Sequence, residues 1–152
     1  MQPRINNIAQ LLPEAFKLMV ELGQVSQKGN VPEKTLNLVH LRSSQINGCA
    51  VCLDMHGKIA MKHGETGERL STVAAWREAP WFTDAERAAL ALTEQVTRLA
   101  DKGEAVTDEV WKEAARHYDE SGLATLVLNI ALSNFYNRMN ASTRQIAGSL
   151  RW

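Results

Sequence analysis

Along most of this chain apolar positions recur every three to four residues, the spacing of amphipathic helices. Runs that alternate every second residue, as half-buried strands do, are almost absent. Pro13 suits the first turn of a helix over "PEAFKLMVELGQVSQ", with Phe16, Met19, Val20 and Gly23 sharing a face before Gly29 and Asn30 break the pattern. Pro32 opens "PEKTLNLVHLRSSQI", where Leu36, Val39 and Ser43 share a face, and Asn47-Gly48 is a turn signal that ends it. A third helix is expected from about Cys49 to Lys62, stopped by His63-Gly64. Thr66 or Ser71 caps "GERLSTVAAWREA", which must end near Pro80. Thr83 and Glu86 have the capping-box spacing and open "AERAALALTEQVTRLA". Thr107-Asp108-Glu109 opens "EVWKEAARHY", and Ser121 with Gly122 opens "LATLVLNIALSNFYNRMN". That last segment is apolar nearly all the way round, so it belongs at the centre of the molecule or at a subunit interface. The pattern predicts an all-α bundle of about six to seven helices.

Size and charge narrow the functional classes. A chain of 152 residues with 45% hydrophobic content can bury one core, so residues 1–152 are read as a single domain. Lys plus Arg (17) balances Asp plus Glu (17), which leaves no basic stripe for nucleic acid and no polybasic segment for anionic lipid. No charged leader precedes an apolar stretch, and no apolar run approaches the ~20 residues that span a bilayer. The chain reads as a cytoplasmic protein without a membrane partner. In that reducing compartment a Cys-x-x-Cys pair is more often catalytic or metal-binding than a structural staple.

The two cysteines stand in "QINGCAVCLDMHGKIA". Cys49, Cys52 and His56 fall at i, i+3 and i+7, one face of the first two turns of the third helix. A helix N-terminus lowers a thiol's pKa through its unpaired amides and dipole, and an imidazole one turn on can take the proton. Proximity to His56 favours Cys52 as the attacking thiol, with Cys49 placed to resolve a sulfenic acid into a disulfide. Two rival readings remain. The pair can be small buried hydrophobes. It can also bind zinc with His56, although a fourth ligand is missing and His63 lies about 16 Å from Cys52 along the helix axis. A c-type haem site would need histidine immediately after Cys52, where Leu53 stands. A thioredoxin fold would need a βαβ pattern that the chain lacks. The redox reading is preferred because helix start, Asn-Gly turn and histidine coincide.

Three stretches together, "LRSSQINGCAVCLDMHGKIAMKHGET", "RLSTVAAWREAPWFTDAERAALALTE" and "NIALSNFYNRMN", resemble the AhpD-like alkyl hydroperoxidases of the carboxymuconolactone decarboxylase family over roughly residues 30–140. The resemblance implies an all-helical fold, assembly into trimers or hexamers, and reduction of an organic hydroperoxide through a Cys49–Cys52 disulfide that an external dithiol or thiol then reduces, with no metal or organic cofactor. It maps the peroxidatic thiol to Cys52, the resolving thiol to Cys49 and the proton acceptor to His56. Twelve residues before the first cysteine the family often carries a glutamate, and this chain has Asn37. An amide cannot form an ion pair with an imidazole, so His56 should be a weaker base here. His40 or Glu33, one turn to either side of Asn37, are the candidates to stand in. A thiol-disulfide relay or redox-responsive oligomer without peroxide turnover is the alternative.

The remaining conspicuous residues are read as structural. Trp76 and Trp81 are expected to pack the "REAP" corner, and Asn129, Asn134 and Asn137 to find partners across helices or across subunits. His63 and His117 are expected at the surface or satisfied, and "EQVTRLADKGE" reads as a solvated face.

Overall fold

The computed structural model describes residues 2–6 and 8–149, so residues 150–152 of the expected domain lie outside it. The most buried stretch is the helix α3 (Glu33–Asn47), although its sequence is rich in polar residues. On one side Leu36 and Val39 join Leu92 of α6 (Asp84–Thr97), Ala114 of α7 (Asp108–His117), and Leu126 and Ile130 of α8 (Glu120–Ser142). On the other, Leu38 and Leu41 meet Ala60 of α4 (Ala50–Lys62), Val73, Trp76, Phe82 and Leu90. One helix therefore faces two apolar clusters, and Cys49, Val51 and Cys52 form a small third cluster at its C-terminal end. Two further helices precede α3: α1 (Ile8–Leu11) and α2 (Pro13–Ser26). The eighth, α5 (Gly67–Thr72), follows α4. The fold is all-α, and among the described residues no helix is long and apolar enough to cross a membrane.

Capping chemistry decides several boundaries. The Thr83 hydroxyl accepts from the Glu86 amide at 3.2 Å and the Glu86 carboxylate accepts from the Thr83 amide at 2.9 Å, the reciprocal arrangement expected at the start of α6. Thr107 caps α7, and Thr66 caps α5. α8 begins earlier than Ser121. Asp119 is its cap, accepting from the Gly122 amide at 2.7 Å while also accepting from Asn30 at 2.8 Å.

The expected helix over "GERLSTVAAWREA" is not continuous. It stops at Thr72, a single 3-10 turn follows (Val73–Ala75), and the chain then rounds a corner. The Arg87 guanidinium donates to the carbonyls of Trp76 (3.1 Å), Arg77 (3.3 Å), Phe82 (3.1 Å) and Ala79. These carbonyls are satisfied without a helix, so the corner is stable as a loop. Trp76 packs there as expected, whereas Trp81 is 49% exposed. "EQVTRLADKGE" is also not wholly solvated. Glu94 is buried and accepts from Arg42 (2.7 Å), Arg77 (2.9 Å) and the Trp76 indole (3.0 Å). On α2 the expected face is half met: Met19 and Gly23 are partly buried, whereas Phe16 and Val20 are exposed, and Ser26 is the helix's buried residue.

Candidate active site

The site is built at the junction of α3 and α4. Gly48 takes φ 66° and ψ 32°, a left-handed conformation that costs glycine little, and the Cys49 amide donates back to the Ser44 carbonyl at 3.0 Å. The chain reverses within two residues, and Cys49 becomes the N-cap of α4. Cys52 is the third residue of that helix, in the turn whose amides have no intrahelical acceptor. α8 clamps the turn. The Asn47 amide donates to the side-chain oxygens of Asn134 (3.0 Å) and Asn137 (2.9 Å), and Asn137 donates to the Ser44 hydroxyl at 3.0 Å. Asn129 is fully buried and, a few turns earlier on α8, bonds the Ser26 carbonyl at 3.0 Å and the Gln27 amide at 2.9 Å. The three amides thus join helices, as expected of buried polar groups.

Cys49 and Cys52 are joined by a disulfide, with their Cα atoms 5.3 Å apart, and only 1% and 2% of their surfaces are exposed. The Asn140 amide nitrogen, in the last turns of α8, donates to Cys52 Sγ at 3.5 Å. Sequence reasoning missed Asn140. Its signal was positional: 129, 133, 137 and 140 continue the stripe of α8 that faces the core, so a polar residue there must meet α4 or α3.

His56 lies one turn beyond Cys52, and its ring stacks on that of His40 with centroids 4.5 Å apart and planes within 2°. Burial lowers the His40 pKa to about 4, opposed by side-chain hydrogen bonding. The Gln27 amide nitrogen lies 3.4 Å from His40 Nε2. Burial also holds His56 well below its ordinary value, and the neighbouring His40 adds to this, since a proton on one ring disfavours a second. Both imidazoles are therefore neutral near pH 7. Among the described residues, Nδ1 of each ring and Nδ2 of the buried Asn37 have no hydrogen-bond partner.

Of the candidates to stand in for a carboxylate, the structure puts His40 against His56. Glu33 it sends elsewhere: its carboxylate engages His63 Nδ1 at 2.6 Å, near the surface. His117 pairs with Glu113 at 3.3 Å. Among the described residues no group of three or more His, Cys, Asp or Glu side chains is placed to hold a metal ion.

Fold and site together define an all-helical protein with a cysteine pair at a helix start and a histidine one turn on. The chain belongs to the carboxymuconolactone decarboxylase family, whose model matches residues 13–95. It is 36% identical over 140 residues to the uncharacterized protein YdfG of Bacillus subtilis, covering 92% of this chain and 94% of that one. It is 33% identical over 107 residues to the uncharacterized protein YnjA of Escherichia coli, covering 70% of this chain and 57% of that one. Among solved structures, a protein of unknown function from Agrobacterium tumefaciens, suggested to be the antioxidant defence protein AhpD, superposes with TM-score 0.91 and 31% identity over 98% of this chain and all (100%) of that one. The debrominase Bmp8 superposes with TM-score 0.77 over 90% of this chain and 73% of that one, at 22% identity, a likeness of fold. The chain is thus an AhpD-like family member, and its bonded cysteine pair is compatible with peroxidase-type redox chemistry.

Proposed function

We propose that this protein is a cysteine-based alkyl hydroperoxide reductase. The observation that carries the reading is the bonded Cys49–Cys52 pair at the start of α4 with a neutral His56 one turn on. In the cycle, His56 takes the thiol proton of Cys52, and the thiolate attacks the peroxide oxygen. A sulfur–oxygen bond forms as the oxygen–oxygen bond breaks, the sulfur yields two electrons, and His56 returns the proton to the departing alkoxide. The Cys49 thiol then displaces hydroxide from the Cys52 sulfenic acid, releasing water and forming the disulfide. An external dithiol, or two thiols, reduces it and is itself oxidised. Nothing in this sequence of steps calls for a metal or an organic cofactor. The reaction belongs in the cytoplasm, where such thiols are supplied.

We further propose that the working form is a homo-oligomer, a trimer or hexamer, assembled through the apolar face of α2 and α8. Leu18, Leu22, Leu128 and Phe135 are exposed there. Grooves of about 650 and 370 Å³ lie on either side of Phe135, and neither is lined by a cysteine. A monomer seldom leaves so much contiguous apolar surface in water.

A second reading is a thiol-disulfide relay. Asn37 in place of a carboxylate favours it, as does Cys49 at the helix N-cap, where the amides of α4 stabilise a thiolate on the first sulfur and not only on the second. The test is consumption of an organic hydroperoxide with a dithiol reductant by wild type, Cys52→Ser and Cys49→Ser. Cysteine oxidation states are read by mass after one turnover. Turnover by wild type, none by Cys52→Ser and a trapped sulfenic acid at Cys52 in Cys49→Ser is the expected result. A disulfide that forms without faster peroxide loss hands the assignment to the relay.

A further inference from the structure

We infer that Asn140 is the sulfur-binding residue of this site: its amide holds negative charge on Cys52 in the reduced protein. The inference deepens the proposed peroxidase reading and rests on Cys52 being the attacking thiol. The argument begins with what His56 cannot supply. A thiolate at neutral pH is often stabilised by an adjacent imidazolium, but the His56 ring is half-buried with its Nδ1 shielded from water, stacked face to face on His40, and has no carboxylate in the Asn37 position to stabilise a charge. Any proton it takes from Cys52 is held only briefly, so the negative sulfur needs neutral donors. Two are in place. Cys52 is the third residue of α4, where backbone amides are free, and Asn140 Nδ2 lies 3.5 Å from its Sγ.

Asn140 is fixed for that task by its own backbone. α8 ends at Ser142, and the Asn140 carbonyl accepts from the Gln145 amide at 2.9 Å and from the Thr143 hydroxyl at 3.4 Å. The Gln145 side chain in turn donates to the Ile5 carbonyl at 2.8 Å, which ties this end of the helix to the N-terminal segment. The amide thus reaches the sulfur from a different helix, anchored independently of the thiol. Hydrogen bonds to a charged acceptor are about twice as strong as neutral ones, so this contact strengthens when Cys52 ionises and weakens when the thiol is protonated. It also favours the thiolate as leaving group when an external thiol attacks Cys49, because a sulfur that bears charge well departs faster.

The test isolates Cys52 in the Cys49→Ser background, where it is the one remaining cysteine, and follows iodoacetamide alkylation against pH in the full chain. In Asn140→Leu the midpoint should move up by about one pH unit, a roughly tenfold slower alkylation at neutral pH. Asn140→Asp, nearly isosteric but anionic, should move it further, and Asn140→Gln, which keeps the donor, should recover most of the shift. Circular dichroism identifies which variants fold, and if Asn140→Leu does not, Asn140→Ala, which lacks the donor and adds no charge, carries the test. An unchanged midpoint in folded Asn140→Leu or Asn140→Ala would overturn the inference, since loss of a merely structural asparagine leaves the titration of Cys52 alone. Peroxide turnover is scored separately on wild type. A midpoint that responds to Asn140 without any turnover keeps the inference and removes the peroxidase, whereas turnover with unresponsive midpoints does the reverse.

Discussion

Two helices of similar length have opposite relations between sequence and burial. α2 carries Phe16, Leu18, Val20, Leu22 and Val25, yet all five are exposed, and its buried residue is a serine. α3 carries Asn37, His40, Ser43 and Ser44, and all four are buried. Hydrophobicity alone would have exchanged their places. The difference lies in partners. Each polar residue that α3 takes out of water costs desolvation that something must offset, and the structure offsets it unevenly: Ser44 and the partly buried Arg42 are bonded across helices, while among the described residues Asn37 and His40, like the His56 of α4 stacked on it, keep an unpaired nitrogen. On the proposed reading, these unpaired buried nitrogens belong to the face that meets substrate. On the proposed assembly, the exposed leucines of α2 face a second copy of the chain.

The comparison breaks most sharply at Glu94. This carboxylate receives Arg42 of α3, whose side chain is only 12% exposed, together with Arg77 and the Trp76 indole. Burial raises its pKa, but these hydrogen bonds outweigh burial and hold it below the usual range. Removing the carboxylate in Glu94→Leu strands a nearly buried guanidinium and should cost about 3 to 4 kcal/mol by urea unfolding. A cost under about 1 kcal/mol would mean that α3 is held by its apolar contacts alone, and the contrast with α2 would lose its polar half.

The second break is a pH dependence. His40 keeps its proton off in the folded chain down to about pH 4, while an unfolded histidine binds one below its ordinary value of 6.5. Between those values the unfolded chain holds more protons, so stability rises with pH through this window and falls as pH is lowered through it. The full difference corresponds to about 3 kcal/mol, most of it expressed above the range where carboxylates titrate. Urea unfolding at steps from pH 7 to pH 5 measures the slope. His40→Phe keeps an aromatic face for the stack and cannot titrate, so the slope should shrink to the share contributed by His56. An identical slope in the variant would show that the ring is not buried neutral.

Much of this was legible in the residues. The capping box at Thr83, the turn at Gly48 and the spacing of Cys49, Cys52 and His56 are local signals, and local chemistry fixes them. What the sequence hid depends on distant partners. Arg87 turns "VAAWREA" into a corner by satisfying carbonyls up to 11 residues away, and nothing within that stretch announces it. Asn140 and Cys52 are 88 residues apart, so spacing along α8 puts Asn140 on the core-facing stripe but does not name the sulfur it meets. On α2 the spacing puts Met19 and Gly23 on the partly buried side but leaves Phe16 and Val20 in water, because a periodic helix says that an apolar side exists and not which surface covers it.

That ambiguity on α2 sets the smallest expected change in the fold and the clearest change in assembly. Leu18 and Leu22 are one helical turn apart, 65% and 45% exposed, and line the groove that runs beside Phe135. If this surface meets a second copy, Leu18→Glu with Leu22→Glu places two carboxylates where apolar contact is required. A partner then rejects them, because burying an unpaired charge is far costlier than the contact it replaces. Within one subunit the same side chains already face water, so the intrinsic stability should shift by less than about 0.5 kcal/mol and the helical spectrum should not change. Light scattering should find wild type at a multiple of 16.9 kDa and the double variant at that mass itself. A wild type that is already monomeric at working concentration removes the assembly proposal, and α2 would then be a helix whose leucines are simply left in solvent.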